Sequence, residues 1–191
     1  AAEWLDVMSQ FVDYKLASNT GPDGGWSELF SYYDASAPTL LHAANILDRM
    51  GRLSPASRRL ALDLAVLPLR FQSPEDPRFG FRAVPCWGHE GRANFGQWLP
   101  AFRLAEGSDA TLAAGLLWGW HQSASFAGYH DSNFNVRCAT YAAGKPAPAL
   151  PEVAALLDSR WIPGLGVAMR AHAGDPNETF LAYRQGYLIS H

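Results

Sequence analysis

The feature that most constrains this chain is a change of period. Up to about residue 143 the apolar residues recur every three or four positions, and beyond residue 160 they alternate. Trp4, Leu5, Met8, Phe11, Val12 and Leu16 share one helix face. A second helical stretch, starting near Trp26, continues through Leu40, Leu41, Ala44, Ile46, Leu47 and Met50, with a kink expected at Pro38. Ser54-Pro55 reads as a cap followed by a helix-starting proline, and residues 60–67 continue that helix. Residues 98–105 and 110–121 are two more helices, with Asp109 as the cap of the second, and residues 136–143 suit a short one. Residues 162–170 and 179–189 read instead as strands joined by a Gly174-Asp175-Pro176-Asn177 turn. Helical hairpins followed by strands argue for two packed units rather than an alternating α/β fold. The expected boundaries are 1–145 for the helical unit, 146–160 for a linker and 161–191 for the start of a β-unit. The linker follows from Gly144-Lys145-Pro146-Ala147-Pro148.

Composition excludes several classes. Hydrophobic residues make up 48% of the 191, enough for a packed core and too many for global disorder. Lys and Arg number 15 against 18 Asp and Glu, a net charge of −3 with no basic run, which argues against nucleic-acid binding. No apolar run is long enough to cross a membrane as a helix. The two cysteines, Cys86 and Cys138, form no CxxC pair and no zinc-finger spacing, and whether they pair with each other stays open. Seven Trp residues are a large aromatic supply, and sugar rings are one flat ligand that such side chains stack on. Both ends of the sequence read as the inside of an element, so a piece of a larger protein is expected.

Residues 73–95 break the helical rhythm with three Pro and three Gly, a loop length that usually marks function or disorder. It carries Trp87, His89, Glu90, Arg92 and Asn94, a mixture suited to a ligand rim. His89 can exchange a proton near neutrality. Arg92 and Asn94 can bind a carboxylate, Arg through its planar fork. The plain alternative for each is a loop residue holding backbone or solvent. His42 and His121 read as structural and His172 as solvated. Tyr129-His130-Asp131 forms a second polar cluster whose facing the sequence does not settle.

The most distinctive stretch is Asp23-Gly24-Gly25-Trp26-Ser27-Glu28-Leu29-Phe30-Ser31-Tyr32, a chain-turning segment feeding a helix. Glu28 and Tyr32 are four apart and so share a helix face. The stretch resembles the DGxxxEGxxY segment of the heparinase II/III-like polysaccharide lyases. The tail, from Trp161-Ile162-Pro163-Gly164-Leu165 through Glu178-Thr179-Phe180 to residues 186–191, resembles the opening strands of that family's β-sandwich. The resemblance implies a mainly α chain: part of an (α/α) toroid of helical hairpins, then the first strands of an antiparallel β-sandwich. Leu29 stands where the family usually has Gly.

The chemistry that the resemblance implies is β-elimination at uronic acids. A base takes the C5 proton, a cationic or amide group neutralises the C6 carboxylate, and an acid protonates the leaving O4. Tyr32 matches the family's acid, which often serves as base too. His191 matches the start of the sandwich histidine region, which assists catalysis or holds a divalent metal, Zn or Ca, in some members. His89 is a further candidate by loop position. Trp26, Trp87 and Trp98 are candidates for sugar stacking, and Glu28, Glu90, Arg92 and Asn94 for substrate binding. The implied partners are an acidic polysaccharide or oligosaccharide and the rest of the same polypeptide or a companion chain, without which a bare fragment is expected to be inactive. The implied location is secreted or periplasmic. Two other readings stand beside it: a non-catalytic glycan-binding or scaffold segment, and a toroid glycoside hydrolase using Asp23 and Glu28.

Overall fold

A computed structural model of the chain describes residues 2–26, 30–85, 95–123, 138 and 140–184. Its described part is mainly helical, with one small antiparallel sheet at the C-terminal side. The helices are α1 (Ala2–Asn19), α2 (Phe30–Arg49), α3 (Pro55–Ala65), α4 (Leu67–Phe71), α5 (Leu99–Ala105), α6 (Ala110–His121) and the short α7 (Leu150–Val153). The strands are β1 (Arg160–Ile162), β2 (Gly166–Ala171) and β3 (Thr179–Arg184), in the order β1-β2-β3. A toroid joined to a sandwich would go beyond these elements.

Local signals account for the starts of α3 and α6. Ser54 caps α3 by accepting a 3.1 Å hydrogen bond from the Ser57 amide, and Pro55 takes the first helical position. Asp109 caps α6 by accepting from the Leu112 amide at 2.9 Å. α2 runs through Pro38, which lies inside it. One expectation changes. Trp26 is not a helical residue: it forms an antiparallel bridge with Thr20, because the left-handed Asp23 and Gly24 reverse the chain between them.

The β region also differs from its sequence reading. Residues 162–170, expected as one strand, are split by a tight turn at Pro163-Gly164, where the Leu165 amide donates to the Ile162 carbonyl at 3.1 Å. Pro followed by Gly at a φ of 78° is the pattern of a type II turn, a signal present in the sequence. β2 then pairs with β3 from Gly166↔Arg184 to Ala171↔Thr179. Residues 185–189 of the expected second strand lie outside the described residues.

One buried cluster runs through helices and sheet. Leu16, Leu41, Leu64, Leu69, Phe71, Trp98 and Leu116 share it with Ile162 and Ala168 on the sheet's inner face and with Leu165 in the turn before β2. Residues 146–160, expected as a linker, carry α7 and a 3₁₀ turn (Ala154–Leu157), and Val153 and Leu157 pack against Trp118 of α6. Apolar side chains also remain outside the core. α1 exposes Trp4, Val7, Phe11 and Tyr14, and the outer face of the sheet exposes Trp161, Met169, Leu181 and Tyr183.

Candidate functional site

The turn that enters α2 is built by its neighbours. The Gly21 amide donates to the Gly25 carbonyl at 2.6 Å, closing the loop on itself. Arg70 of α4 donates to the Asp23 carbonyl at 2.8 Å, pinning the turn to the helices below. Gly24 lies at φ 81°, and a Cβ built on it would sit 2.0 Å from the carbonyl oxygen of Asp63 in α3, so the turn lies flat on that helix. Burial raises the Asp63 carboxyl above its ordinary range, against the opposing pull of Arg59 and Arg70. On its other side the turn meets β1, so it occupies the junction of helices and sheet.

Beside this turn, α1 and α2 diverge to leave a cleft of about 340 Å³. α1 contributes Phe11, Lys15 and Asn19, the turn contributes Trp26, and α2 contributes Ser36 and Thr39. Leu40 and Ala43 make an apolar floor. The α2 residues follow from helical spacing, since 36, 39, 40 and 43 recur on one face. Tyr32 occupies the position one turn before Ser36. Lys15 holds its ammonium 5.9 Å from the Phe11 ring centroid, within cation–π range. None of the described residues lining the cleft is acidic.

The expected site residues divide three ways. Trp26 lines the cleft, although it is only 5% exposed and serves as a wall rather than an open stacking face, and the backbone of Tyr32 lies in α2 one turn before Ser36. Trp98, expected to stack on sugar, is a correction: it is 1% exposed within the core cluster and has no free face for a ligand. Glu28, Trp87, His89, Glu90, Arg92, Asn94 and His191 lie outside the described residues, as does Cys86.

Cys138 is a free thiol, buried, with its pKa pushed up to about 12 by desolvation, which makes it a poor nucleophile. His121 ends α6 and donates through Nε2 to the Lys145 carbonyl at 3.0 Å, in keeping with a structural role. His42 shares a 3.3 Å hydrogen bond with Tyr141. Among the described residues no group of three or more His, Cys, Asp or Glu is arranged to hold a metal ion, and the expected ligand His191 is not among them. No described helix is long and apolar enough to cross a membrane.

Lys15 and Asn19 escaped the sequence reading. Both are polar helix residues, for which solvated side chains are the rule. Their i, i+4 spacing was available, but only the packing of α1 beside α2 puts them in a cleft. Comparison with protein-family models, with curated proteins and with solved structures finds no match for this chain.

Proposed function

We propose that this chain is part of a polysaccharide lyase that cleaves a uronic-acid-containing glycan, of alginate or glycosaminoglycan type, by β-elimination. The observation that carries the reading is the position of Tyr32. Along the chain it is on the first turn of α2, after the turn pinned at the helix–sheet junction and four residues before Ser36, which lines a cleft of aromatic, hydroxyl, amide and ammonium groups. In this reading the C5–H bond breaks, a C4–C5 double bond forms, the C4–O4 bond breaks and O4 takes a proton. Tyr32 is the acid, and also the base when ionised. An ordinary phenol ionises near pH 10, so basic action needs neighbours that favour phenolate. Acid–base groups of this kind typically supply about 10²–10⁴-fold, with the rest coming from charge neutralisation and positioning.

The reading also gives the two exposed apolar faces a covering. Further helices of an (α/α) toroid would pack over α1 and a second sheet of a β-sandwich over β1–β3, from the same polypeptide or a companion chain. Nothing in the reaction as written is routed through a metal.

The test is ultraviolet absorbance from the new double bond, measured with the polypeptide that the native gene encodes on a panel of uronate polysaccharides. Absorbance is expected to rise, and Tyr32→Phe is expected to remove the rise while leaving glycan affinity nearly intact. Saturated products that depend on Asp23 and Glu28 would replace the lyase with a hydrolase. Glycan binding with no bond cleavage would leave a binding segment in its place.

A further inference from the structure

Several cations near Lys15 are ion-paired. On the same helical unit Arg52 pairs with Asp6, Arg58 with Asp48 and Arg59 with Asp63. Among the described residues Lys15 has no carboxylate partner, and its ammonium lies within cation–π range of the Phe11 ring. The residue is half-buried, and no described carboxylate compensates its charge. The net charge of −3 makes a cleft with a cation and no described acid a local exception in this protein's field.

We propose that the α1–α2 cleft is a subsite for one uronic-acid residue, with Lys15 as the partner of its carboxylate. The proposal rests on the glycan reading above and adds to it the residue that recognises the acid. The other walls suit the rest of a sugar. Asn19 lies one helical turn beyond Lys15, and its amide offers both a donor and an acceptor. Ser36 and Thr39 face them from α2 with hydroxyls. Phe11 presents an apolar ring to the C–H face of a pyranose. A free volume of about 340 Å³ lies at the lower end of small-ligand pockets, which suits a single residue of a longer chain. A lone ammonium is a point charge without the fork geometry that Arg brings to phosphate, and a monoanionic carboxylate is the simpler match.

The experiment is calorimetric titration of the native polypeptide with alginate and hyaluronan tetrasaccharides and with their carboxyl-reduced, neutral counterparts. Wild type should bind an acidic ligand better than its neutral counterpart, and added salt should shrink the difference. Lys15→Met should weaken acidic binding by about tenfold, as for loss of one charge-assisted contact, and leave neutral binding unchanged. Lys15→Arg should retain most of the preference. Melting temperatures of both variants should match wild type, since the ammonium makes no ion pair among the described residues, and Lys15→Gln serves as a second neutral variant if Met lowers the melt. Equal binding of acidic and neutral ligands by wild type, or an acid preference that survives Lys15→Met and Lys15→Gln, overturns the proposal. The two readings fail separately. Lys15-dependent uronate binding with no C4–C5 double bond sinks the elimination chemistry and keeps the subsite. Tyr32-dependent turnover that Lys15→Met leaves unchanged in KM and kcat sinks the subsite and keeps the lyase.

Discussion

At Gly24 a single missing methyl group decides where the entrance to α2 can sit. Its φ of 81° is left-handed, and the space a Cβ would need is filled by the Asp63 carbonyl at 2.0 Å. That obstacle is helix backbone, which cannot swing aside as a side-chain tip can. Left-handed backbone costs a non-glycine residue about 1–2 kcal/mol, and forcing atoms into a filled space costs about 1–3 more. Gly24→Ala is therefore expected to lower stability by roughly 2–4 kcal/mol, seen as a lower urea midpoint at unchanged slope. A midpoint equal to wild type would mean that the turn does not lie on α3. The need for a turn was legible in Asp23-Gly24-Gly25, because turn chemistry is local. What the turn rests against was not, since Asp63 is distant in sequence. The same limit explains Trp26 and Trp98: a tryptophan's type suggests stacking, but burial is decided by other elements.

Elements show where local reading succeeds and where it stops. The start of α3 was legible because Ser54 and Pro55 act within one turn. The sequence did not reveal that the same cap ties α3 to α1. Ser54 Oγ donates to Asp13 Oδ1 at 3.1 Å while accepting from the Ser57 amide, and Ser57 Oγ donates to the same Asp13 oxygen. Ser54→Ala should cost about 1 kcal/mol, the ordinary loss of an N-cap. Ser54→Asp is the sharper probe. Asp and Ser cap helices about equally well in general, but here a new carboxylate would face Asp13. It is therefore expected to be worse than Ser54→Ala at neutral pH and to recover as acid neutralises one of the pair, read by urea denaturation at two pH values. Equal stability of the Asp and wild-type proteins would mean that the α1–α3 tie is absent in solution. The β-region carries a similar lesson. Alternation made residues 162–170 look like one strand, although Pro163-Gly164 already marked the turn that divides them.

Across the whole molecule, the sheet is fastened to the helices by a charge network that no local pattern announces. Arg82 donates to Glu178 at 3.0 and 2.5 Å across 96 residues of sequence. Arg170 donates to the same carboxylate and to the Gln72 carbonyl, and the Gly174 amide donates to it at 2.7 Å. Arg82 lies over the Trp118 ring and Arg170 over the Phe180 ring, so both guanidiniums are sandwiched between carboxylate and aromatic faces. The Glu178 side chain is 2% exposed. Burial opposes its ionisation, but hydrogen bonds from Arg82, Gly174 and Arg170 outweigh that and hold its carboxyl below the ordinary range. A carboxyl depressed in the folded state adds stability that is complete above its unfolded value, near pH 4.3, and is lost as pH falls through the folded value. Glu178→Gln leaves two buried guanidiniums facing each other without the anion, and removing one member of a buried pair typically costs about 3–5 kcal/mol. The variant should melt well below wild type at neutral pH. The gap should narrow in acid, where wild type protonates Glu178 and loses the same interaction. A gap that is constant between neutral pH and pH 3 would assign the loss to packing rather than to charge, and would remove the network as the fastening between helices and sheet.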